Sequence, residues 1–323
     1  MEKIIALRSE FESTLEQLEL PEEPKRLYEP IAYTISNGGK RMRPLLVLLG
    51  CKLFSSELED AFHPALGIEL FHNFSLIHDD IMDQAPIRRG QPSVYRKWDE
   101  NVAILSGDAM IVKAYEQLLI TKPAAIPHIL AQFNKTAIEV CEGQQLDMDF
   151  EERDDVSIDD YINMIQLKTA VLLAACLKIG AVIGGASQEQ AKKLYDFGLK
   201  AGIAFQLQDD ILDVHGESQK VGKQKGGDII ANKKTYLLLK AQELASEEQL
   251  NRLNQLLALV NADAEKVAGV LEIYKDLNVR QLAEEQMWSY FNDGLSSLQA
   301  AGGSEEWTQV LLDFSTQLMH RDS

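Results

Sequence analysis

The chain has 323 residues, 46% apolar and 25% charged, a mixture typical of a folded globular protein, so intrinsic disorder and collagen-like repeats are excluded. Its 32 basic and 50 acidic residues leave a formal net charge of −18, which disfavours a broad nucleic-acid-binding surface. Anionic ligands must therefore be bound by local Lys and Arg clusters or by metal ions. The three cysteines form no CxxC pair, which argues against a disulfide framework and favours a cytoplasmic location.

Helical periodicity dominates the chain. Apolar residues recur every three or four positions in residues 10–20, 102–120, 126–141, 188–203 and 247–260. No stretch alternates apolar and polar residues convincingly over six or more positions, so Asn37-Gly38 and Asp293-Gly294 are interpreted as helix connections. We predict one all-α domain over residues 1–323, a large helical bundle of about ten or more helices.

Two segments call for separate interpretation. Residues 171–186 form the most apolar stretch, but Lys178 interrupts it and it is too short to cross a bilayer. It therefore predicts a buried helix, and no membrane span is expected. The acidic run over residues 147–160 contains few apolar residues and predicts a mostly solvated loop.

Two aspartate clusters stand out, Asp79-Asp80-Ile81-Met82-Asp83 and Asp209-Asp210-Ile211-Leu212-Asp213. The first and last carboxylates of each are four residues apart, so a helix places them on one face, where like charges repel. Each cluster also follows apolar residues, and burying carboxylates without a counter-charge is costly. A hard divalent cation resolves both costs, and Mg²⁺ suits a few carboxylates plus water and a phosphate. The alternative, a solvated acidic face, is less consistent with two copies in apolar settings.

Basic residues lie near both clusters in the sequence. Three groups are found: Gly38-Gly39-Lys40-Arg41-Met42-Arg43-Pro44, Arg88-Arg89-Gly90, and Lys223, Lys225, Lys233 and Lys234 around a glycine-rich segment. Glycine allows backbone N–H groups to approach a phosphate, which Arg binds bidentately and Lys as a point charge. Ordinary surface charge is the alternative, but in so acidic a chain the pattern favours a diphosphate bound with metal. No Walker motif is present in the sequence, so P-loop nucleotide hydrolysis is disfavoured.

Over nearly its whole length the chain resembles the trans-isoprenyl diphosphate synthases of the polyprenyl synthetase family. The resemblance is carried, in order, by residues 38–44, 72–83 and 88–90, Gly107-Asp108, Gly143-Gln144 with Asp147, Lys168-Thr169, residues 205–210, and Gly222-Lys223 with Lys233. It implies an isoprenoid-synthase-like bundle with a central active-site cavity. It also implies condensation of an allylic diphosphate (dimethylallyl, geranyl or farnesyl) with isopentenyl diphosphate, release of pyrophosphate, and a homodimer.

The resemblance also implies residue roles. Three Mg²⁺ ions would be bound by Asp79, Asp83 and Asp209 and supported by Asp80, Asp210 and Asp213. The allylic diphosphate would be held by Arg88, Lys168, Lys223 and Lys233. Isopentenyl diphosphate would be bound by Gly39, Lys40, Arg43, His72 and Arg89. Lys168, Thr169 and Gln206 would face the allylic cation, and Gln144 and Asp147 would line the pocket.

Purely structural roles are the alternatives for several of these residues. His72 could be a core histidine, but it lies two helical turns before Asp79, which favours the site. Thr169 and Gln206 could bond only within helices. Gln144 and Asp147 could merely cap or bridge helices.

Product length is the main open choice. Phe74 and Ser75 precede Asp79 by five and four residues, about 6–8 Å along a helix, so the ring could form a floor for the growing chain. Simple core packing of Phe74 is the alternative. An aromatic residue followed by a small polar one resembles short-chain synthases, and we predict a C20 product, geranylgeranyl diphosphate, with C15 farnesyl diphosphate as the alternative.

Two other functions are considered. A class I terpene cyclase also ionises an allylic diphosphate, but it is not expected to keep the isopentenyl-binding set of Lys40, Arg43 and Arg89. A non-catalytic subunit of a heteromeric synthase is expected to have lost Asp or Arg at the metal motifs, and both motifs are intact here.

Overall fold

The structure, a computed structural model, describes residues 2–215 and 226–320. Contacts between residues divide the chain into two compact units. Unit 1 consists of Met1–Asn134, Ala175–Tyr195 and Ala301–Phe314. Unit 2 consists of Lys135–Ala174, Asp196–Ala300 and Ser315–Ser323. The single domain over residues 1–323 stays a prediction. Gly222, Lys223 and Lys225 lie outside the described residues.

Helices account for most of the described chain, which confirms the all-α class. The first part contains α1 (Glu2–Glu16), α2 (Lys25–Ser36), α3 (Met42–Lys52), α4 (Glu59–Met82), α5 (Val94–Lys97), α6 (Glu100–Leu118) and α7 (Ile126–Glu152). The middle contains α8 (Ile158–Ile165), a π-helical turn (Gln166–Ala170), α9 (Val171–Gly184) and α10 (Gln188–His215). The last part contains α11 (Gly227–Ile230), α12 (Tyr236–Leu244), α13 (Glu247–Leu257), α14 (Asp263–Asp276), α15 (Val279–Ala301) and α16 (Glu305–Met319).

The core of unit 1 is built on α3, α4 and α6, and glycines allow its helices to approach closely. A Cβ on Gly67 of α4 would lie 2.8 Å from the Ala114 carbonyl oxygen of α6. A Cβ on Gly180 of α9 would lie 1.9 Å from the Val47 carbonyl oxygen of α3. Only glycine fits such contacts, which bring α6 close to α4 and α9 close to α3, a helix buried along nearly its whole length.

In unit 2, close packing at glycines positions the π-helical turn. A Cβ on Gly143 of α7 would lie 2.2 Å from the Lys168 backbone nitrogen. A Cβ on Gly202 of α10 would lie 2.7 Å from the Ala170 Cα. The turn is therefore packed against α7 and α10 through glycine on both sides. π-helical turns are rare and occur frequently at functional sites.

A short β-hairpin that the sequence analysis did not predict follows α4. Strand β1 (Ile87–Arg88) pairs antiparallel with β2 (Gln91–Pro92). The turn residues Arg89 and Gly90 both have positive φ, 53° and 74°, as a type I′ turn requires. Strands of two residues are too short to produce a visible alternation of apolar and polar side chains, so they leave no periodic signal in the sequence.

Some boundaries differ from the predictions. The helix expected over residues 10–20 begins at Glu2 and ends at Glu16. Asp293-Gly294 lies inside α15 rather than in a connection, whereas Asn37-Gly38 does connect α2 and α3. The acidic run is mostly not a loop, since α7 continues to Glu152. One reason is that the ammonium of Lys234 donates to the carbonyl oxygens of Phe150 and Glu151 and so caps the end of α7.

The apolar stretch at residues 171–186 belongs to a longer helix. Ile158–Gly184 is continuous through the π-helical turn and is long and apolar enough to cross a membrane, so the length argument against a span was wrong. However, 67% of its most apolar window is buried inside the structure, and buried core helices pass the same test. The prediction of a buried helix is consistent with that burial.

Candidate active site

Both aspartate clusters lie towards the C-terminal ends of long helices. Asp79, Asp80 and Asp83 occupy the last turn and C-cap of α4, and Asp209, Asp210 and Asp213 occupy the last two turns of α10. The helix dipole is negative at this end, so carboxylates in the last turn, such as Asp79 and Asp80 of α4, are unfavourable by about 0.3–1 kcal/mol each. A nearby cation in unit 1 offsets that cost.

In unit 1 the first cation is Arg88 of the hairpin. Its Nε donates to Asp80 Oδ1 at 2.9 Å, and its Nη2 lies 3.7 Å from Asp79 Oδ2. Burial raises the pKa of the Asp80 carboxyl, although the hydrogen bond and charge of Arg88 oppose this effect. Asp80 is thus committed to Arg88, whereas Asp79 is half-buried and Asp83 is exposed.

The tight turn of the hairpin directs the second arginine to a different place. Arg89 donates to the carbonyl oxygen of Gly38 and, at 3.4 Å, to Asn73 Oδ1. Its guanidinium lies 3.2 Å from where a Cβ on Gly39 would stand, so Gly39 leaves room for it. The two adjacent arginines therefore contact different groups. Arg88 binds the aspartates, and Arg89 binds the Gly38-Gly39 loop.

His72 of α4 joins the same basic region. Arg43 Nη1 lies 2.9 Å from His72 Nε2, and because guanidinium can only donate, Nε2 is the acceptor and the proton of the neutral ring sits on Nδ1. Burial lowers the pKa of His72 well below its usual value, and the charges of Arg43, Arg89, Arg88 and Arg41 lower it further. A neutral His72 with an Nδ1–H donor is suited to an anionic ligand. This supports the site interpretation over that of a core histidine.

Phe74 is half-buried in a row of aromatic rings. Its ring centroid lies 4.8 Å from that of His78 and 5.6 Å from that of Phe71. His78 Nε2 is in turn 3.1 Å from the Ile104 carbonyl oxygen on α6. Ser75 donates its hydroxyl to the His72 carbonyl oxygen within the helix. The Phe74 ring is therefore held by neighbours on its own helix.

In unit 2 the π-helical turn presents two candidate residues. Lys168 Nζ lies 2.6 Å from Asp147 Oδ2 of α7. Thr169 donates its hydroxyl to Gln206 Oε1 on α10 at 3.2 Å, so its oxygen lone pairs remain available as acceptors. Gln144 is half-buried on α7, one turn before Asp147. Asp147 thus bridges α7 and the π-helical turn, as the structural alternative allows, and its pocket-lining role stays a prediction.

A hydrogen-bond chain continues from Gln206 to the second aspartate cluster. Gln206 Nε2 donates to Asp210 Oδ1 at 3.1 Å, and the hydroxyl of Tyr161 donates to Asp210 Oδ2. Burial raises the pKa of Asp210 well above its usual value, and the charge of Asp228 adds to this. Asp210 is therefore a buried supporting group, whereas Asp209 is half-buried.

Asp213 contacts the segment that begins at Gly226. Its Oδ2 accepts from the Asp228 backbone N–H at 2.9 Å at the start of α11, and its carbonyl oxygen accepts from Gly226 N–H at 2.9 Å. Lys233 is exposed just beyond α11, and its N–H donates to the Asp228 carbonyl oxygen. Lys40 is exposed in the loop before α3.

Several contributing residues were not singled out from the sequence. Arg41 is buried and donates to Glu69 Oε1 at 2.7 Å, and Asn73 Nδ2 donates to the Glu69 carbonyl oxygen. Tyr161 holds Asp210, as described above. Arg41 and Asn73 stand next to predicted site residues, which is the one signal available. Nothing near Tyr161 in the sequence indicates its role.

A divalent cation fits the donor chemistry of both clusters. Asp79, Asp83 and Asp209 carry hard carboxylate oxygens of the kind Mg²⁺ binds, and Asp80 and Asp210 accept hydrogen bonds from Arg88 and Tyr161. Among the described residues no group of three or more His, Cys, Asp or Glu side chains forms a complete metal site. Mg²⁺ commonly uses one or two carboxylates and completes its shell with water and substrate phosphate oxygens.

Comparison with known proteins agrees with this chemistry. Residues 24–277 match the sequence pattern of the polyprenyl synthetase family. A geranylgeranyl diphosphate synthase of Methanosarcina mazei is 42% identical over 73% of each chain. A geranylfarnesyl diphosphate synthase of Natronomonas pharaonis is 36% identical over 99% of this chain and 98% of its own. A crystal structure of a geranylgeranyl pyrophosphate synthase superimposes with a TM-score of 0.94, 40% identity and 99% coverage of both chains.

Proposed function

The chain belongs to the polyprenyl synthetase family and is an isoprenyl diphosphate synthase, and we propose that it condenses an allylic diphosphate with isopentenyl diphosphate to give geranylgeranyl diphosphate. The observation that carries this proposal is the pairing of aspartates with basic residues at the site. Arg88 contacts Asp79 and Asp80, while Arg43 and Arg89 gather around His72 and Gly39. A C20 product is supported by the names of several relatives.

Each group has a role in this proposal. Asp79, Asp83 and Asp209 would hold Mg²⁺, and Arg88, Lys168, Lys223 and Lys233 would hold the allylic diphosphate. Mg²⁺, when bound, neutralises charge on the departing pyrophosphate. Gly39, Lys40, Arg43, His72 and Arg89 hold isopentenyl diphosphate, so one basic set serves the leaving group and another serves the nucleophile.

The cation-facing groups are proposed on the hydrogen-bond chain of unit 2. The Thr169 hydroxyl donates a hydrogen bond to Gln206 Oε1, and Gln206 Nε2 donates one to Asp210, so each side-chain oxygen keeps a lone pair that can face a carbocation. Exclusion of water from that place leaves the isopentenyl double bond to capture the cation. The final proton passes to pyrophosphate, and no protein base is required.

The proposal is tested by incubating the purified chain with dimethylallyl diphosphate, isopentenyl diphosphate and Mg²⁺. We expect a C20 diphosphate by mass spectrometry and a rate that depends on isopentenyl diphosphate. A C15 product would favour the farnesyl alternative, and a C25 product the activity named for the Natronomonas relative. Products without isopentenyl diphosphate would indicate a cyclase, and absence of turnover by the chain alone would indicate a non-catalytic subunit.

Phe74→Ala is expected to lengthen the product beyond C20. The ring forms the proposed floor, and its removal opens space below the growing chain; chromatography and mass spectrometry of the extracted diphosphates measure the shift. Leu76→Ala is the matched control, because Leu76 is half-buried on the same helix but lines the cleft beside Arg88 and Arg89. An unchanged distribution in Phe74→Ala, or an equal shift in Leu76→Ala, contradicts the floor.

We propose that the chain forms a homodimer through α6. Leu105 and Val112 of α6 and Leu119 at its C-cap are spaced by seven residues, lie on one helical face and are 59%, 59% and 49% exposed. A second copy with the same stripe would cover it, as isologous interfaces do. Analytical ultracentrifugation should give a dimer that the double variant Leu105→Glu/Val112→Glu converts to a monomer. A wild-type monomer contradicts the proposal.

A cytoplasmic location remains a proposal from the cysteine usage.

A further inference from the structure

The loop between α2 and α3 has a backbone that other residues must hold in place. Gly38 and Gly39 have φ values of 73° and 139°, and Arg41 has φ 48° although it is not glycine. A non-glycine residue in the left-handed region is unfavourable and persists only where its surroundings determine it. The loop carries Gly39 and Lys40, two proposed ligands of isopentenyl diphosphate. Whatever fixes this loop therefore affects that substrate.

The N-terminal helix supplies one of the groups that fix it. Arg8 Nη2 of α1 donates to the Gly39 carbonyl oxygen at 3.0 Å. In a planar trans peptide the carbonyl and the following N–H point in opposite directions. By holding the Gly39 carbonyl, Arg8 therefore sets the direction of the Lys40 N–H. Arg89 does the same for the preceding peptide through the Gly38 carbonyl.

A second contact ties α1 to the same loop. Glu12 Oε1, one turn after Arg8, accepts from Arg41 Nε at 3.1 Å, and Arg41 also donates to the Ile35 carbonyl oxygen at 2.9 Å. Arg8 Nε and Glu12 Oε1 are 3.9 Å apart, so each side chain helps to orient the other. Helix α1 thus contacts the loop twice: Arg8 donates to the Gly39 carbonyl oxygen, and Glu12 accepts from Arg41.

The helix that carries these two residues is firmly placed within unit 1. The face next to them buries Ile4, Leu7, Phe11 and Leu15, and α1 packs against α3 and α4. The side chain of Arg8 itself remains 48% exposed. Arg8 is therefore a solvent-accessible cation on a rigid support, directly beside the loop.

We propose that Arg8 is a positioning residue for isopentenyl diphosphate, acting through the Gly39-Lys40 peptide. This inference rests on the proposed function, but it assigns a role to a helix that lies before residues 24–277, the segment matched by the family. The diphosphate of isopentenyl diphosphate does not leave in the condensation. Its contacts are the same before and during the reaction, so a defect in them raises KM for that substrate and leaves kcat unchanged.

The test compares Arg8→Gln with Lys3→Gln in steady-state kinetics of the full chain. Lys3 is on the same helix, is 41% exposed and forms an ion pair with Glu306, so both variants lose one partly exposed cation of α1. We expect Arg8→Gln to raise KM for isopentenyl diphosphate about five- to tenfold, as loss of a charge-assisted hydrogen bond does. KM for the allylic diphosphate, kcat and the unfolding temperature should stay near wild type, and Arg8→Lys should restore part of the affinity.

The outcomes separate the inference from the function on which it rests. If wild-type turnover does not depend on isopentenyl diphosphate, the proposed function fails. If wild-type turnover does depend on it but Arg8→Gln behaves as Lys3→Gln does, the inference alone fails. Equal changes in both KM values, or a fall in kcat with an unchanged KM, also contradict a positioning role at this loop.

Discussion

Asp79→Asn is expected to lower kcat about 100- to 1,000-fold while leaving the protein as stable as wild type or more stable. The amide keeps the volume of the carboxyl but loses the charge that the proposed Mg²⁺ requires. The same charge is unfavourable in the free protein, because Asp79 lies in the last turn of α4, at the negative end of its dipole. Steady-state kinetics at increasing Mg²⁺ and thermal unfolding measure the two effects.

Asp60→Asn is the matched control on the same helix. Asp60 lies in the first turn of α4, where a carboxylate is favoured by the dipole, and its nearest ionic partner is Lys122 at 3.6 Å. We expect kcat to be unchanged and the free energy of unfolding to fall by about a few tenths of a kcal/mol. Asp79→Asn is expected to do the reverse, lowering kcat without loss of stability. Similar losses of kcat in the two variants would rule out a special role for Asp79.

Glu69→Gln is expected to cost about 3 kcal/mol of the free energy of unfolding. Glu69 and Arg41 are both 3% exposed at their side chains and are joined at 2.7 Å. Removing the carboxylate leaves the guanidinium buried with less compensation, which costs more than the pair itself contributes. Glu69 Oε1 also accepts from Asn73 Nδ2 at 3.2 Å, so the change replaces a charged acceptor shared by two donors with a neutral, weaker one. Urea denaturation of the purified variant gives the value.

Glu12→Gln provides the comparison, because Glu12 is bound by the same arginine at 3.1 Å but is 34% exposed. Solvent screens this pair, so we expect a cost of about 1 kcal/mol or less. If the two variants are equally destabilised, burial of the Glu69 pair is not what stabilises the region. In that case the loop before α3 would depend on Arg41 alone rather than on its partner in α4.

Sequence patterns were sufficient for the class of fold because helical periodicity is local. Apolar residues at three- and four-residue spacing, as in α6 and α13, have one main physical interpretation over more than ten residues. The ends of helices were less predictable. The end of α7 depends on Lys234, more than 80 residues away, whose ammonium binds the last carbonyls. Such a contact leaves no mark in the local pattern.

The same distinction applies to the proposed site: its residue types could be predicted from the sequence, but the role of each residue depends on tertiary contacts. The two aspartate clusters were recognisable because repelling carboxylates at helical spacing in an apolar setting require a cation. The different roles of the aspartates within one cluster could not be recognised from the sequence. Only the contacts of Arg88 with Asp80, and of Tyr161 with Asp210, distinguish the buried supporting carboxylates from Asp79 and Asp209.

The amino-acid sequence by itself determined the all-α class, the family and the residue types that a diphosphate with magnesium requires. Those properties follow from the spacing and chemistry of neighbours along the chain. The folded structure decided where the cations are directed: Arg88 to the aspartates, Arg89 to the Gly38 carbonyl and Arg8 to the Gly39 carbonyl. A hydrogen bond depends on distance and direction between groups far apart in the chain, and both arise only when the helices pack.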